Sequence, residues 1–439
     1  MMMKRKVKVL FFSGIFTTYV VLVIIDMIVQ QSTDYGDFVL RRQLQEIDSL
    51  AFDDKISTEV QRLEISNKDN DLCRGKGISP LPKTTVNGDL NFRDTNLFPY
   101  LNNYKNPCFV RNVTYLDGKY LKKPVLAFRC VPYFFIIGMP KSGTTDVWHG
   151  LEQHPGVAIP HMKEPMFFTR KRYPTDSWSL DRYLDYFNAA TNMIKQTHSP
   201  DKWIGGKLYY YIITGEGTVD VSHDNNRWQE VPGNEGCNEP RVLNSHYLYH
   251  LNPKMKLIFM MRNPIDRVFS DYLYEFQFFG YNKTVRDFHI AVLESIANHM
   301  TCRKYFSERG CAYNSTLESF KARLRVGMYH VFLEDWYSVF PKEQIMLIKF
   351  EEFAKNRIGI LRDVFNFLEL RPLTSEEEKK QRKRDIPNTR SKDDKRIGDM
   401  LKKTRILLSE FYDPFNKHLS QLLNDEKYLW RSTQMYIKL

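Results

Sequence analysis

No C-x-x-C pair occurs among the chain's six cysteines. His154 and His161 stand at no metal-ligand spacing with any neighbour, so neither a zinc ribbon nor a dithiol redox centre is encoded and no metal is expected. Internal repeats are absent. Acidic residues are in deficit: 52 Asp and Glu face 64 Lys and Arg, a formal charge of +12. That balance points to an anionic partner, whether nucleic acid, acidic lipid headgroups or a polyanionic sugar, or to a solvated basic surface with no single partner. The stretch with phosphate-loop spacing, Gly138-x-x-x-x-Gly143, has Thr144 and Thr145 where a nucleotide triphosphatase carries Lys and then Ser or Thr. With no acidic strand end to hold magnesium either, γ-phosphoryl transfer is poorly supported.

What is present begins with a long apolar run, Val9 to Ile25, resuming at Met27 to Val29 after Asp26 and preceded by Lys4, Arg5, Lys6 and Lys8. About twenty such residues span a bilayer, and the basic flank places the N-terminus in the cytosol. The expected layout is a cytoplasmic tail over 1–8, a transmembrane anchor over 9–29, a lumenal stem and lead-in over 30–124, and a catalytic domain over 125–439. A cleaved signal peptide is the alternative, though the run is long for one and no small-x-small site follows. Leu40, Leu44, Ile47 and Ala51 have a short heptad-like spacing that would pair two chains in a homodimer or serve a solitary amphipathic helix. Sequons at Asn112, Asn282 and Asn314 and an even cysteine count agree with a lumenal body, which argues against nucleic acid. Cys302 and Cys311 close the shortest plausible loop and are expected to pair.

Tyr133 to Leu151, YFFIIGMPKSGTTDVWHGL, reads as a buried strand, a glycine loop and a helix. Loop N–H groups and the positive end of a helix dipole would there converge on one anion. The lysine, Lys141, lies inside the loop, where it reaches the bridge between two phosphorus or sulfur centres. Further strands are expected at Val157–Ile159, Lys207–Ile213, Leu257–Met261 and Ile345–Lys349. Helices are expected at Arg241–Leu251, from Pro264, and at Phe288–His299, Leu317–Leu324, Tyr329–Phe340, Ile358–Leu368 and Met400–Leu423. Such alternation implies an α/β body with a mostly parallel central sheet covered on both faces by helices.

Three further groups carry chemistry or a blander alternative. Arg262 at a strand end and Ser270 two turns into the next helix form a second anion clamp, or Arg262 is a surface ion pair. Glu164, followed by Phe167 and Phe168, is a general base with a carboxylate beside apolar rings, or a surface residue paired with Lys163 or Arg170. The segment 161–174 suits a pocket rim, and Arg170, Lys171 and Arg172 hold the sulfates or carboxylates of a polymer or form a solvated turn.

PKSGTT resembles the 5′-phosphosulfate loop of Golgi carbohydrate sulfotransferases, and RNPIDRVFSDY resembles their 3′-phosphate motif. KEPMFFTRKR, HDNNRW, VGMYHVFLEDWYSVFPKEQIMLIKFEEF and TRILLSEFYDPFN are similar to the branch that adds a 6-O-sulfate to N-acetylgalactosamine 4-sulfate, the likeness running from about 131 to 430. The resemblance implies a P-loop-like fold and the donor 3′-phosphoadenylyl sulfate, with no metal. Lys141, Ser142, Gly143, Thr144 and Thr145 would grip the phosphosulfate, and Lys141 would stabilise the leaving phosphate. Arg262 and Ser270 would hold the 3′-phosphate, and Glu164 would be the base. Lys163, Arg170, Lys171 and Arg172 would face a sulfated glycosaminoglycan acceptor.

Two departures stand out. A Lys-Ser-Pro or Lys-Thr-Pro element of heparan sulfate enzymes is matched only by Gly215-Glu216-Gly217-Thr218, without its lysine. The last nucleotide-contacting glycine loop has only Ser391 to Arg396 as a stand-in. A sulfotransferase for heparan sulfate or a glycoprotein sugar, and a catalytically silent membrane-anchored polysaccharide-binding protein, are the rival readings.

Overall fold

The computed structural model describes residues 98–275, 283–316, 321–385, 387 and 390–431. The anchor, the stem up to 97 and Asn282 lie outside the described residues. Among the described residues no helix is long and apolar enough to cross a membrane.

Two antiparallel hairpins flank a four-stranded sheet. β1 (Cys108–Leu116) pairs with β2 (Lys119–Cys130), and β4 (His198–Ile204) with β5 (Lys207–Tyr210). The central sheet has the order β6-β3-β7-β8, from β6 (Gly215–Glu216), β3 (Phe134–Gly138), β7 (Lys256–Met261) and β8 (Ile345–Lys349). Each of its pairings is parallel. β3 is buried throughout, and β7 in all but its first residue, which is why both read as unbroken apolar runs rather than alternating ones.

Strand alternation divides their side chains between two cores. Phe134, Ile136, Ile258 and Met260 face helices Thr144–Glu152 and Arg357–Phe367 through Val147, Trp148, Leu151, Leu361 and Val364. Phe135, Ile137, Leu257, Phe259 and Met261 face the other way. They meet helices Asn244–Leu251, Pro264–Glu275, Val285–Tyr305, Tyr329–Tyr337 and Lys402–Leu423. Each fully buried side chain of this size contributes on the order of 1.5–3 kcal/mol. The sheet is thereby covered on both faces, as expected.

The packed body begins well before Val125, which falls in the middle of β2. Phe109 and Val131 enter the larger core, Cys108 and Cys130 form a disulfide across the hairpin, and the backbone N–H of Thr114 donates to Asp181 (2.9 Å). β2 is exposed or half-buried from Lys119 to Phe128 and buried only at Arg129 and Cys130, so its composition reads as a surface segment and hid a strand. The Cys302–Cys311 disulfide is present, joining helix Val285–Tyr305 to helix Glu308–Tyr313. Val157–Ile159 is reduced to one bridge between Val157 and Ile213, and the strand expected over 207–213 ends at Tyr210. Lys321 to Leu324 is not helical.

Candidate active site

The loop from Met139 to Gly143 leaves the carboxyl end of β3 and feeds helix Thr144–Glu152. Gly143 is its N-cap, with φ 87° and no side-chain cap, and the Asp146 N–H turns back to the Gly143 carbonyl (3.0 Å). A side chain is barred there twice, by the left-handed φ and by Phe350, whose ring carbon would lie 2.8 Å from a Cβ. Ser142 is fully buried and its Oγ has no hydrogen-bond partner among the described residues. Thr144 is buried and Thr145 half-buried. The half-buried Lys141 places its ammonium 3.4 Å from the Tyr274 ring centroid. An orphaned buried hydroxyl, an uncapped helix start and a loop lysine together fit an anionic ester.

β7 ends beside this loop, and Arg262, the next residue, donates from Nη1 to the Lys141 carbonyl (3.1 Å) with its guanidinium 4.8 Å from the Phe350 ring centroid. Burial lowers the pKa of Arg262. Ser270 is half-buried on helix Pro264–Glu275, four residues before Tyr274 and so on the same helix face. Arg262 thus contacts the loop directly, and Ser270 shares a helix face with Tyr274, whose ring meets Lys141. Sequence reasoning missed Tyr274, Phe350 and Arg390, whose guanidinium lies 5.2 Å from the Phe269 ring centroid and whose charge is felt at Arg262. The one signal for Arg390 was its place directly before Ser391. Behind the helix, Arg384 ion-pairs with buried Asp146 and donates to its carbonyl (3.0 Å).

Glu164 lies across from the helix start. Lys163 Nζ donates to Glu164 Oε1 (2.5 Å) and stands 3.5 Å from Thr145 Oγ1. The segment is tied down by Gly217 N–H donating to the Lys163 carbonyl (2.9 Å) and Met166 N–H donating to Thr218 Oγ1 (3.3 Å). Phe167 and Phe168, expected beside the carboxylate, turn into the core, where Phe167 stacks on Tyr183 at 4.5 Å.

Glu216, next to Gly217, is wholly buried and takes hydrogen bonds from the Tyr183 and Thr218 hydroxyls. Burial pushes its carboxyl up from an ordinary value near 4.5 to about 8, the hydrogen bonds opposing and the Glu164 charge adding to the rise. The unfolded chain ionises first, so the stability from this group is complete below about pH 4.5 and is lost as pH rises toward about 8. Glu216→Gln, which needs no proton, is expected to gain a few kcal/mol on the wild type between about pH 5 and about pH 8 in urea unfolding. An equal difference at both pH values would show that the buried carboxyl is already charged.

The basic cluster is not one surface. Arg170 is exposed and reaches Asp220 (3.3 Å) and Asp224 (3.7 Å), and Lys171 pairs with Asp176 (3.0 Å). Arg172 is buried, donating to Asn244 (3.0 Å) and lying 4.0 Å from the Tyr247 ring centroid, so it is not available to a polymer. Much of 161–174 is therefore core rather than rim, with Tyr173 buried as well. Asn112 is exposed on β1, while Asn314 is half-buried with Oδ1 accepting from Thr316 N–H (3.1 Å) and Oγ1 (2.7 Å). Among the described residues Glu308, His330 and His418 approach closely enough to share a cation. None of them belongs to the loop, the helix Pro264–Glu275 or the Glu164 segment.

Residues 132–417 match the model of the sulfotransferase domain. The chain belongs to the sulfotransferase family. This sulfotransferase is 37% identical over 334 residues to mouse carbohydrate sulfotransferase 15, covering 74% of its own length and 58% of the relative's. It therefore spans less than two thirds of that relative. A Drosophila melanogaster bifunctional heparan sulfate N-deacetylase/N-sulfotransferase is 23% identical, covering 55% of this sulfotransferase and 20% of the relative. A crystal structure of an Alicyclobacillus acidocaldarius sulfotransferase aligns with a TM-score of 0.44 at 22% identity, covering 69% of this chain and 99% of that one.

Proposed function

We propose that this sulfotransferase is a single-pass type II Golgi enzyme. It moves a sulfuryl group from 3′-phosphoadenylyl sulfate to a glycosaminoglycan hydroxyl, the 6-hydroxyl of N-acetylgalactosamine 4-sulfate in chondroitin or dermatan sulfate. The observation that carries the reaction class is the orphaned Ser142 hydroxyl in a lysine-bearing loop at an uncapped helix start, with a carboxylate just across from it. Ser142, Gly143, Thr144 and Thr145 would hold the 5′ end of the donor, and Arg262 and Ser270 its 3′-phosphate. The donor supplies an activated sulfuryl group whose leaving phosphate develops charge. Lys141 stands in the loop to neutralise that charge. Glu164 takes the proton of the acceptor hydroxyl on a carboxylate oxygen, making the oxygen a nucleophile only when the acceptor is seated. Arg170 and Lys171 would face the acidic polymer; the buried Arg172 is left out, as is Lys163, whose ammonium is held by Glu164.

A panel of chondroitin, dermatan and heparan sulfates with labelled donor, followed by disaccharide analysis, tests the acceptor. Label is expected in the 4,6-disulfated N-acetylgalactosamine unit, and labelling of heparan sulfate alone would sink the assignment. Glu164→Gln is expected to lower kcat by about 10²- to 10⁴-fold. Its affinity for 3′-phosphoadenosine 5′-phosphate should remain within about threefold of the wild type, as measured by calorimetry.

A further inference from the structure

Lys163 and Gly217 form a pair whose arrangement the reaction as described above does not require. The lysine side chain is 17% exposed, and its ammonium meets two groups from different parts of the fold, Glu164 Oε1 at 2.5 Å and Thr145 Oγ1 at 3.5 Å. To get there the aliphatic stem crosses the backbone of Gly217. A Cβ on that residue would stand 3.0 Å from Lys163 Cε, 3.1 Å from Cγ and 3.2 Å from Cε3 of the buried Trp148 ring. Gly217 has no left-handed φ, so its backbone makes no demand for glycine. Its missing side chain leaves room for the lysine stem, since a Cβ would crowd both the stem and the indole. The same two residues are joined by the 2.9 Å hydrogen bond from Gly217 N–H to the Lys163 carbonyl, which fixes where the stem begins.

We infer that Lys163 is a positioning residue for the reaction. Its ammonium ties the Glu164 carboxylate to the Thr145 end of the anion loop, and Gly217 exists as glycine to let it pass. A glutamate at this half-exposed place has several rotamers, and a base displaced by about 1 Å loses on the order of 10²-fold in rate. One ammonium that meets both the carboxylate and the Thr145 hydroxyl at the helix start removes that freedom. The inference rests on the reading of Glu164 as the base.

The test compares full-length wild type, Lys163→Met, Gly217→Ala, Glu164→Gln and the double variant Lys163→Met with Glu164→Gln. It reads kcat, acceptor KM and calorimetric affinity for 3′-phosphoadenosine 5′-phosphate. Lys163→Met is expected to lower kcat about 100-fold with acceptor KM and nucleotide affinity within about threefold, and Gly217→Ala to lower kcat about tenfold with the same signature. The double variant is expected to be no slower than Glu164→Gln alone, since the lysine acts through the carboxylate. A loss confined to acceptor KM, a matching loss of nucleotide affinity, additive losses in the double variant, or a wild-type Gly217→Ala would each overturn the assignment. A fully active Glu164→Gln overturns the base itself. An inactive Glu164→Gln beside an unchanged Lys163→Met removes only the lysine's role.

Discussion

Lys141→Ala is expected to lower kcat/KM by at least about 10³-fold, roughly 4 kcal/mol of transition-state stabilisation, while leaving the thermal midpoint within about 2 °C of the wild type. The two halves of that expectation have different sources. Its backbone is already in the left-handed region, at φ 64°, for a residue with a Cβ, so alanine adds no new backbone penalty. The side chain enters neither apolar core, and its ammonium lies over the Tyr274 ring rather than among buried residues. The Arg262 hydrogen bond goes to the Lys141 carbonyl, which every substitution except a backbone change preserves. What alanine removes is the positive charge inside the loop, where low dielectric and the helix start give it most leverage. Rates with labelled donor, together with a melting curve, check both halves. An alanine variant within about tenfold of wild-type turnover would show that charge at the leaving group is stabilised elsewhere.

Asp271→Ala is expected to cost about 3–5 kcal/mol of folding stability, the largest loss from any single side chain considered for this chain. Asp271 directly follows Ser270 and points the other way, into the body. Its Oδ2 accepts from Arg267 Nη1 (3.1 Å) and Arg323 Nε (2.9 Å), and its Oδ1 from Arg323 Nη2 (2.5 Å). Arg267 has no exposed surface at all and also donates to the Arg323 carbonyl (2.6 Å). Burial works against the Asp271 carboxylate, but the two guanidiniums outweigh it and hold the group below the usual carboxylate range. Removing it takes the carboxylate from the fully buried Arg267 and from Arg323, whose side chain is 22% exposed, and breaking an ion pair around a buried guanidinium is expensive. The same helix carries Ser270 and Tyr274, so nucleotide affinity should fall along with the urea midpoint. A variant of wild-type stability would mean that solvent screens Arg267 despite its burial.

The cradle was legible because β3 and β7 are buried on both faces and end in polarity, glycine and proline. A run such as YFFIIG followed by MPKSGTT admits few other readings, and the observed strand differs from the expected one by a single residue at each end. Arg262 was visible for the same local reason, whereas the base role of Glu164 was favoured by the family resemblance alone, its own residues reading as well as a carboxylate paired with Lys163, a pairing the structure contains. Arg172 was misread because three adjacent basic residues look alike in sequence. Only the fold shows that Asn244 and Tyr247, some seventy residues on, receive the third of them. The hairpin before the sheet was missed since β2 is exposed or half-buried over its first ten residues and has the composition of a surface segment. Gly217 gave no sign of its part, because the lysine that needs its bare backbone lies more than fifty residues earlier.

Helix Lys402–Leu423 has a consequence for the order in which the molecule is made. It lies against the larger core through Leu408, Tyr412 and Leu419, and Tyr412 reaches back to the Leu324 carbonyl (2.8 Å). Every strand of the sheet and the whole anion loop leave the ribosome before it does. Until this helix arrives one side of the sheet has no complete cover, so the nascent chain carries a finished motif on an unfinished body. If the anion loop binds the proposed donor, that competence is expected to be gained late, as a property of the closed whole and not of the segment that holds the signature.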